Sequence, residues 1–329
     1  MHLEADSWER LSYAYEGYMD CKNKRICKEK SGTDTTGYHC GHLRIDQTRD
    51  LFYNLFTIVR QVATTGLIAL GVSFLMLTGN LDFSVGKLYA FAGVCCALLY
   101  QQGMNIWVAI VVSILACVLI SMFTGFVSMK FNIPMLIVSI AMMQVVDGIN
   151  MILTNGATVY GLPDSIKFLG QGYVLGIPFA VIVFAVVAAI VAFVLNRTYL
   201  GRYLFAVGGN NETARLSGIH VNQVKMIASI ICGLLTGIAG IIMMSRSFSG
   251  SPYNGTSMSN DVISAAVLGG VSISGGTGKT SGVVIIGILS QGLVMIGMSS
   301  NYQNMIKGAI LILSVIMDQK SKVAKRKKK

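Results

Sequence analysis

Nine apolar segments, at 62–78, 84–100, 107–128, 134–153, 177–195, 225–244, 262–274, 282–298 and 304–318, fill most of this 329-residue chain after its first fifty residues. Crossing hydrocarbon takes about 20 apolar residues in helical form, because lipid offers no partner to a free backbone amide. The pattern therefore predicts an all-α fold, a polytopic integral membrane helical bundle. Several segments fall short of a full span, notably the one that opens at Val262, and glycines interrupt them. Such segments predict broken helices that stop inside the protein, where neighbouring chain meets the free backbone groups. "GLLTG" places Gly233 and Gly237 one turn apart on one helix face, a spacing that lets two backbones approach closely.

Composition agrees with that fold. The chain is 53% hydrophobic and 12% charged, against roughly a quarter charged in soluble domains. Nine of its fifteen acidic residues precede Leu51, which divides it into a polar segment at 1–50, a transmembrane domain at 51–319 and a basic tail at 320–329. The net charge of +11 does not predict a nucleic-acid partner, because seven of the basic residues sit in the tail "KSKVAKRKKK". Cytoplasmic faces of membrane proteins retain such charges and set them against anionic lipid, so the lipid bilayer is the expected partner. The seven cysteines form no disulfide framework: Cys95, Cys96, Cys117 and Cys232 lie in apolar runs. Cys21, Cys27 and Cys40, with His39 and His42, lack a CxxC pair and match no standard zinc spacing, so neither a metal nor a cofactor is expected.

Positive charge sets orientation. Lys130, the cluster Arg197, Arg202, Arg215 and Lys225, and the terminal tail all fall on one side by parity, and that side is the cytoplasm. The C-terminus is then cytoplasmic, and the loops at 154–176 and 245–255 face outward. Nine segments with an inside C-terminus place the N-terminus outside, yet residues 1–50 hold no signal peptide or first span. Either the polar segment is external or one span is missing from this chain.

The glycine-rich stretch "VLGGVSISGGTGKTSG" tests for a phosphate loop. That motif needs a glycine five residues before Gly278, where its amides begin to close on the phosphate, and Ile273 stands there. Parity makes "SGGTGKT" a cytoplasmic turn between membrane segments, with no room for a nucleotide fold.

The long cytoplasmic loop "NRTYLGRYLFAVGGNNETARLSGIHVNQVK" carries the punctuation of a short helix. Asn210 or Asn211 can cap it, Glu212 falls in the first turn where the helix dipole favours an acid, and Gly218 can end it after Ser217. Physics alone leaves two readings equal, a helix that docks into a partner's groove and an ordinary ordered loop.

"GRYLFAVGGNNETARLSGIHVNQVK" resembles the coupling loop of permease subunits of bacterial ABC importers of the ribose, monosaccharide and autoinducer-2 type, within the branched-chain amino acid and sugar permease superfamily. "LTGNLDFSVGKLYAFAGV" is similar to that family's T-x-G-I-D-L-S-V-G-S signature. "DVISAAVLGGVSISGGTGK" is similar to its D-A-I-A-A-x-V-L-G-G-T-S-x-x-G-G-x-G pattern. Together these cover about residues 51–318 in the family's order. The chain departs from the family in lacking similarity before Leu51, at Asn80, and at Lys87, where the family has a small residue.

The resemblance implies a type II-like importer permease of nine to ten spans with an internal inverted repeat, in a bacterial plasma (inner) membrane. It implies a cytoplasmic ABC ATPase subunit, an extracytoplasmic solute-binding protein, and pairing as a homodimer or with a similar permease. The chain would be no enzyme itself, ATP hydrolysis belonging to the partner. Its coupling residues would be Gly201, Arg202, Gly208, Asn210, Glu212, Thr213, Arg215, Ser217 and Gly218. A small neutral solute, a monosaccharide such as ribose, would pass through it; nucleosides and branched-chain amino acids stay open.

Ionisable groups at membrane depth are expensive and mark functional candidates. Asp82, Ser84, Gln144, Asn150 and Asp261 are the path candidates. Asp82 and Asp261 each open a segment, where capping the helix is the favoured role, and by parity the two segments run in opposite directions. Asp147 shares a stripe with Gln144 and Asn150, for which interhelical hydrogen bonding is favoured. A secondary transporter or channel that needs no ATPase is the alternative, with Asp147 as its only acid well inside a span.

Overall fold

The computed structural model describes residues 59–174, 176–272 and 275–278, together with Met305 and Gly308. All lie within the unit Asn54–Lys329. The polar segment 1–50 with Cys21, Cys27, Cys40, His39 and His42, the apolar segment 282–298, the segment 304–318 apart from those two residues, and the tail 320–329 lie outside the described residues.

Among the described residues, five helices are long and apolar enough to cross a membrane: α1 (Val59–Leu77), α3 (Ile106–Lys130), α4 (Met135–Thr154), α6 (Phe179–Arg197) and α9 (Val221–Ser247). A shorter apolar helix, α2 (Val85–Gln101), and the short α10 (Met258–Leu268), polar in its first turn, stand among them. Small elements fill the links: α5 (Lys167–Gln171), the two-residue strands β1 (Tyr173–Val174) and β2 (Ile177–Pro178), α7 (Tyr199–Gly209) and α8 (Asn211–Leu216).

Local chemistry sets the boundaries. The Asn105 side chain accepts from the Trp107 amide at 3.0 Å and opens α3. Pro134 and Pro178 stand at the N-caps of α4 and α6, where a missing amide costs nothing. Asn155 and Phe248 close α4 and α9 in the left-handed conformation.

α1 is sheathed by the rest of the bundle; Leu67, Ile68, Leu70, Phe74, Leu75 and Met76 are all buried. Its neighbours in this core come from α6, α9 and α10, through Phe184, Cys232, Leu235, Val262 and Ala266. The faces of α3, α4 and α6 that carry Leu115, Leu119, Ile137, Val186 and Ile190 stay exposed, as expected of surfaces covered by lipid or a partner. Gly233 and Gly237 form the predicted close approach. A Cβ on Gly233 would stand 2.8 Å from that of Ser121 and 2.9 Å from the Cys117 carbonyl, and one on Gly237 would stand 3.3 Å from the Ile114 Cα. Ser121 Oγ then donates to the Ser229 carbonyl at 2.8 Å, tying α3 to α9.

The turns that charge places on one side meet one another. The Gly276 amide donates to the Leu77 carbonyl at 3.0 Å, and a Cβ on Gly275 would lie 3.0 Å from the Gly208 carbonyl. The loops placed on the other side also meet, since Val159 and Gly250 exchange both backbone hydrogen bonds, at 2.8 and 2.9 Å.

Two expectations need correction. Asp82 does not cap α2; Ser84 holds that position, and Asp82 Oδ1 accepts from both the Ser84 amide (2.8 Å) and its hydroxyl (2.6 Å). The carboxylate thus organises the turn ahead of the helix. Asp261 does not cap α10 either, because that helix begins at Met258 after Ser257 and leaves Asp261 in the first turn. Ser259, Asn260 and Asp261 carry the helix earlier than the apolar run suggests. The same run is interrupted near its middle, since α10 ends at Leu268 and Gly270 turns the chain at φ 82°.

Candidate functional site

Two regions bring together the residues singled out in the sequence. The first is the surface helix α8. Asn210 Oδ1 accepts from the amides of Glu212 and Thr213 at 2.9 and 3.0 Å, satisfying two of the free donors at the helix start. Of the two asparagines open to that role, Asn210 takes it. Glu212 lies in the first turn and Arg215 in the last, each complementing the helix dipole. At the exit Gly218 stands at φ 82°. Its amide donates to Arg215 and that of Ile219 to Ala214, a Schellman closure. Ala214 is buried and Ile219 packs beside it in the core, so the closure also anchors α8 to the membrane bundle.

The outer face of α8 is open. Leu216, a large apolar side chain, is 88% exposed. The helix borders a cavity of about 750 Å³ lined by Glu212, Arg215, His220, Gln223, Lys225 and, from the α3–α4 turn, Asn132. Gly201 and Gly208 are close-approach positions. A Cβ on Gly201 would lie 2.2 Å from the Leu195 carbonyl, and one on Gly208 would lie 1.8 Å from that of Leu77. Arg202 stacks on the Tyr199 ring at 4.5 Å, and the Ser217 hydroxyl donates to the Thr213 carbonyl at 2.9 Å.

The second region lies where α2 and α10 begin. Ser259 Oγ donates to the Phe83 carbonyl at 2.7 Å and accepts from the Gly86 amide at 3.1 Å, so the two helix starts meet directly. Asp82 and Ser84 are both fully buried there, and among the described residues Asp82 Oδ2 has no hydrogen-bond partner. On α4, the row Gln144, Asp147 and Asn150 turns from exposed to buried. Asn150 Nδ2 donates to the Lys87 carbonyl at 3.2 Å, while Asp147 Oδ1 pairs with Lys87 Nζ at 2.8 Å. The interhelical bonding favoured for this stripe is therefore present at Asp147 and Asn150, while Gln144 is exposed. The pairing itself was missed, although a lysine and an aspartate at membrane depth were both visible as charges needing partners. Leu216 was missed as well, since one leucine at the end of a polar helix carries no periodic signal.

The glycine-rich turn gives its amides to protein. Gly276 donates to Leu77, and Ser272 donates to the Thr277 carbonyl at 2.9 Å. Lys279 and Thr280 lie outside the described residues.

Apolar helices of spanning length, two shorter ones whose starts meet inside the protein, and a doubly capped surface helix define a membrane permease subunit. The chain belongs to the family described as branched-chain amino acid transport system / permease component, whose model matches residues 54–315. Among its relatives is the ribose import permease protein RbsC of Escherichia coli (strain K12), 37% identical over 275 residues, which are 81% of this chain and 86% of the relative. The ribose import permease protein RbsC of Bacillus subtilis (strain 168) is 37% identical over 273 residues, 81% of this chain and 85% of that one. The L-arabinose transport system permease protein AraH of Escherichia coli (strain K12) is 36% identical over 281 residues, 84% and 85% of the two chains. No solved structure matches the chain. The family resemblance expected from the three motifs is thereby established, and with it a transport component rather than an enzyme.

Proposed function

We propose that this chain is the membrane-spanning subunit of an ABC importer that carries a monosaccharide, a pentose such as ribose, into the cell. The observation that carries the coupling half of this reading is the rigid helix from Asn211 to Leu216, closed at both ends and presenting an exposed leucine. Such an element fits a cleft on a cytoplasmic ATPase subunit, with Gly201, Arg202, Gly208, Asn210, Glu212, Thr213, Arg215, Ser217 and Gly218 shaping the loop. The solute half rests on the relatives, which are named as ribose and L-arabinose permeases.

In this reading the domain at 51–319 holds about ten spans in an inverted repeat, for which the meeting of the α2 and α10 starts is the supporting contact. The polar segment 1–50 and the tail 320–329 stand outside it. The C-terminus faces the cytoplasm of a bacterial plasma membrane, in keeping with the basic charges of the turns that meet around Gly276. An extracytoplasmic solute-binding protein delivers the sugar, and two permease copies, alike or similar, enclose a path. Asp82, Ser84, Gln144, Asn150 and Asp261 are its candidate residues.

The test is uptake by the chain co-reconstituted with its ATPase and binding protein in proteoliposomes loaded with ATP. Labelled D-ribose or L-arabinose should accumulate only with hydrolysable ATP inside. Accumulation without the ATPase subunit would favour a secondary carrier instead.

A further inference from the structure

We propose that the Lys87–Asp147 pair is a specificity-determining contact for hydroxyl groups of the solute. The proposal rests on the monosaccharide-importer reading and adds residues to it. Asp147 lies well inside α4, with twelve helical residues before it and seven after, and Lys87 is the third residue of α2. Charges at such depth are costly unless they meet each other, other polar groups or water. These two meet each other at 2.8 Å, yet neither is sealed: the Lys87 side chain is 12% exposed and that of Asp147 29%. Hydrocarbon is an unfavourable neighbour for the exposed edges of an ion pair, so the edges face an aqueous path or its contents.

The surroundings extend the polar surface. Gln144, one turn before Asp147, is exposed. Asn150, one turn after it, is fully buried, donates to the Lys87 carbonyl, and keeps its Oδ1 without a hydrogen-bond partner among the described residues. An ammonium has three donors and a carboxylate about four acceptor sites, so mutual pairing leaves both unfilled. Side by side they offer a donor and an acceptor at about hydrogen-bond spacing, which is what two adjacent hydroxyls require. Their charges cancel, so a neutral polyhydroxylated solute gains bonds without a field that favours anions or cations. A solute lacking one of those hydroxyls leaves a polar group unpaired, and sites built this way discriminate strongly.

The experiment compares maximal uptake rates at saturating sugar, so that capture by the binding protein drops out of the comparison. The full complex, with the chain as wild type, Asp147→Asn or the apolar pair Lys87→Met/Asp147→Leu, is assayed with D-ribose, 2-deoxy-D-ribose and 3-deoxy-D-ribose. Wild type should carry ribose about tenfold faster than at least one deoxy sugar, the scale of a lost hydrogen bond to a charged group. The apolar pair should bring that ratio within about twofold of one, and Asp147→Asn, which keeps the shape, should fall between. Unchanged ratios with a uniformly slower rate would make the pair a tether between α2 and α4 and overturn the proposal. Should the apolar pair fail to insert, an unchanged ratio in Asp147→Asn alone overturns it. A wild-type complex that imports no pentose at all would instead overturn the monosaccharide reading, and the proposal with it.

Discussion

The Leu77 carbonyl accepts from the Gly276 amide at 3.0 Å, and the same oxygen would lie 1.8 Å from a Cβ on Gly208. Three stretches far apart in sequence, the end of α1, the end of α7 and the glycine-rich turn, thus share one contact on the charged side of the bundle. A motion that starts in the loop of α7 and α8 has a short route to α1.

Gly208→Ala forces backbone apart at this contact, since carbonyl oxygen cannot rotate away as a side chain would. Overpacking of this kind costs about 1–3 kcal/mol or more. Gly209→Ala is the control, because a Cβ there meets nothing within 4 Å among the described residues. Thermal unfolding in detergent should show a lowered midpoint for Gly208→Ala and a wild-type midpoint for Gly209→Ala. Equal midpoints would mean that the three stretches do not pack as described.

The α3–α9 seam predicts a graded pair. Gly233→Ala places a methyl 2.8 Å from the Ser121 Cβ and 2.9 Å from a backbone oxygen, whereas at Gly237 the nearest atom is 3.3 Å away. Gly233→Ala should destabilise by about 1–3 kcal/mol and Gly237→Ala by less than about 1 kcal/mol. The ranking is checked by the detergent-extracted fraction that remains monodisperse after heating; a reversed order would contradict the seam.

Purified alone, the chain should neither bind nor hydrolyse ATP. The amides of Ser272 and Gly276 are given to the carbonyls of Thr277 and Leu77, which leaves fewer donors for a phosphate than a nucleotide loop requires. Photolabelling by an ATP analogue that disappears in Lys279→Ala would refute this.

What the sequence revealed and what it hid divide along physical lines. Spans such as 107–128 and 225–244 were legible within a few residues, because a long apolar run has one solution in lipid. The ends of α8 were legible too, since Asn210 and Gly218 act on their own neighbours in the chain. Asp82 and Asp261 were misplaced by a few positions, because a cap and a turn residue use the same side chain at adjacent sites. Lys87 with Asp147, and Ser259 with Phe83, were out of reach. Those contacts span 60 and 176 residues of sequence and arise only when α2 is laid against α4 and α10.

The last prediction concerns transmission through α8. Coupling between sites requires a rigid element that both partners bias, and Asn210 and Gly218 supply that rigidity. Asn210→Ala removes both side-chain bonds at the helix start and should cost about 1 kcal/mol locally. Asn210→Asp keeps the acceptor and should behave as wild type. Gly218→Pro cannot adopt φ 82°, because proline fixes φ near about −65° and removes the amide that donates to Arg215. It should leave a normally inserted permease that no longer transports and whose partner ATPase is no longer stimulated by loaded binding protein. Leu216→Ala should loosen the complex without disturbing the chain itself, since the side chain is 88% exposed here and gains burial only in a partner's cleft. Pull-down of the ATPase subunit by Leu216→Ala should fall severalfold while the melting temperature of the permease stays put. A cysteine at Thr213 should crosslink to the ATPase from the cytoplasmic side. If Thr213→Cys reacts only with an impermeant thiol reagent outside intact cells, the orientation is inverted and the coupling role of α8 falls with it.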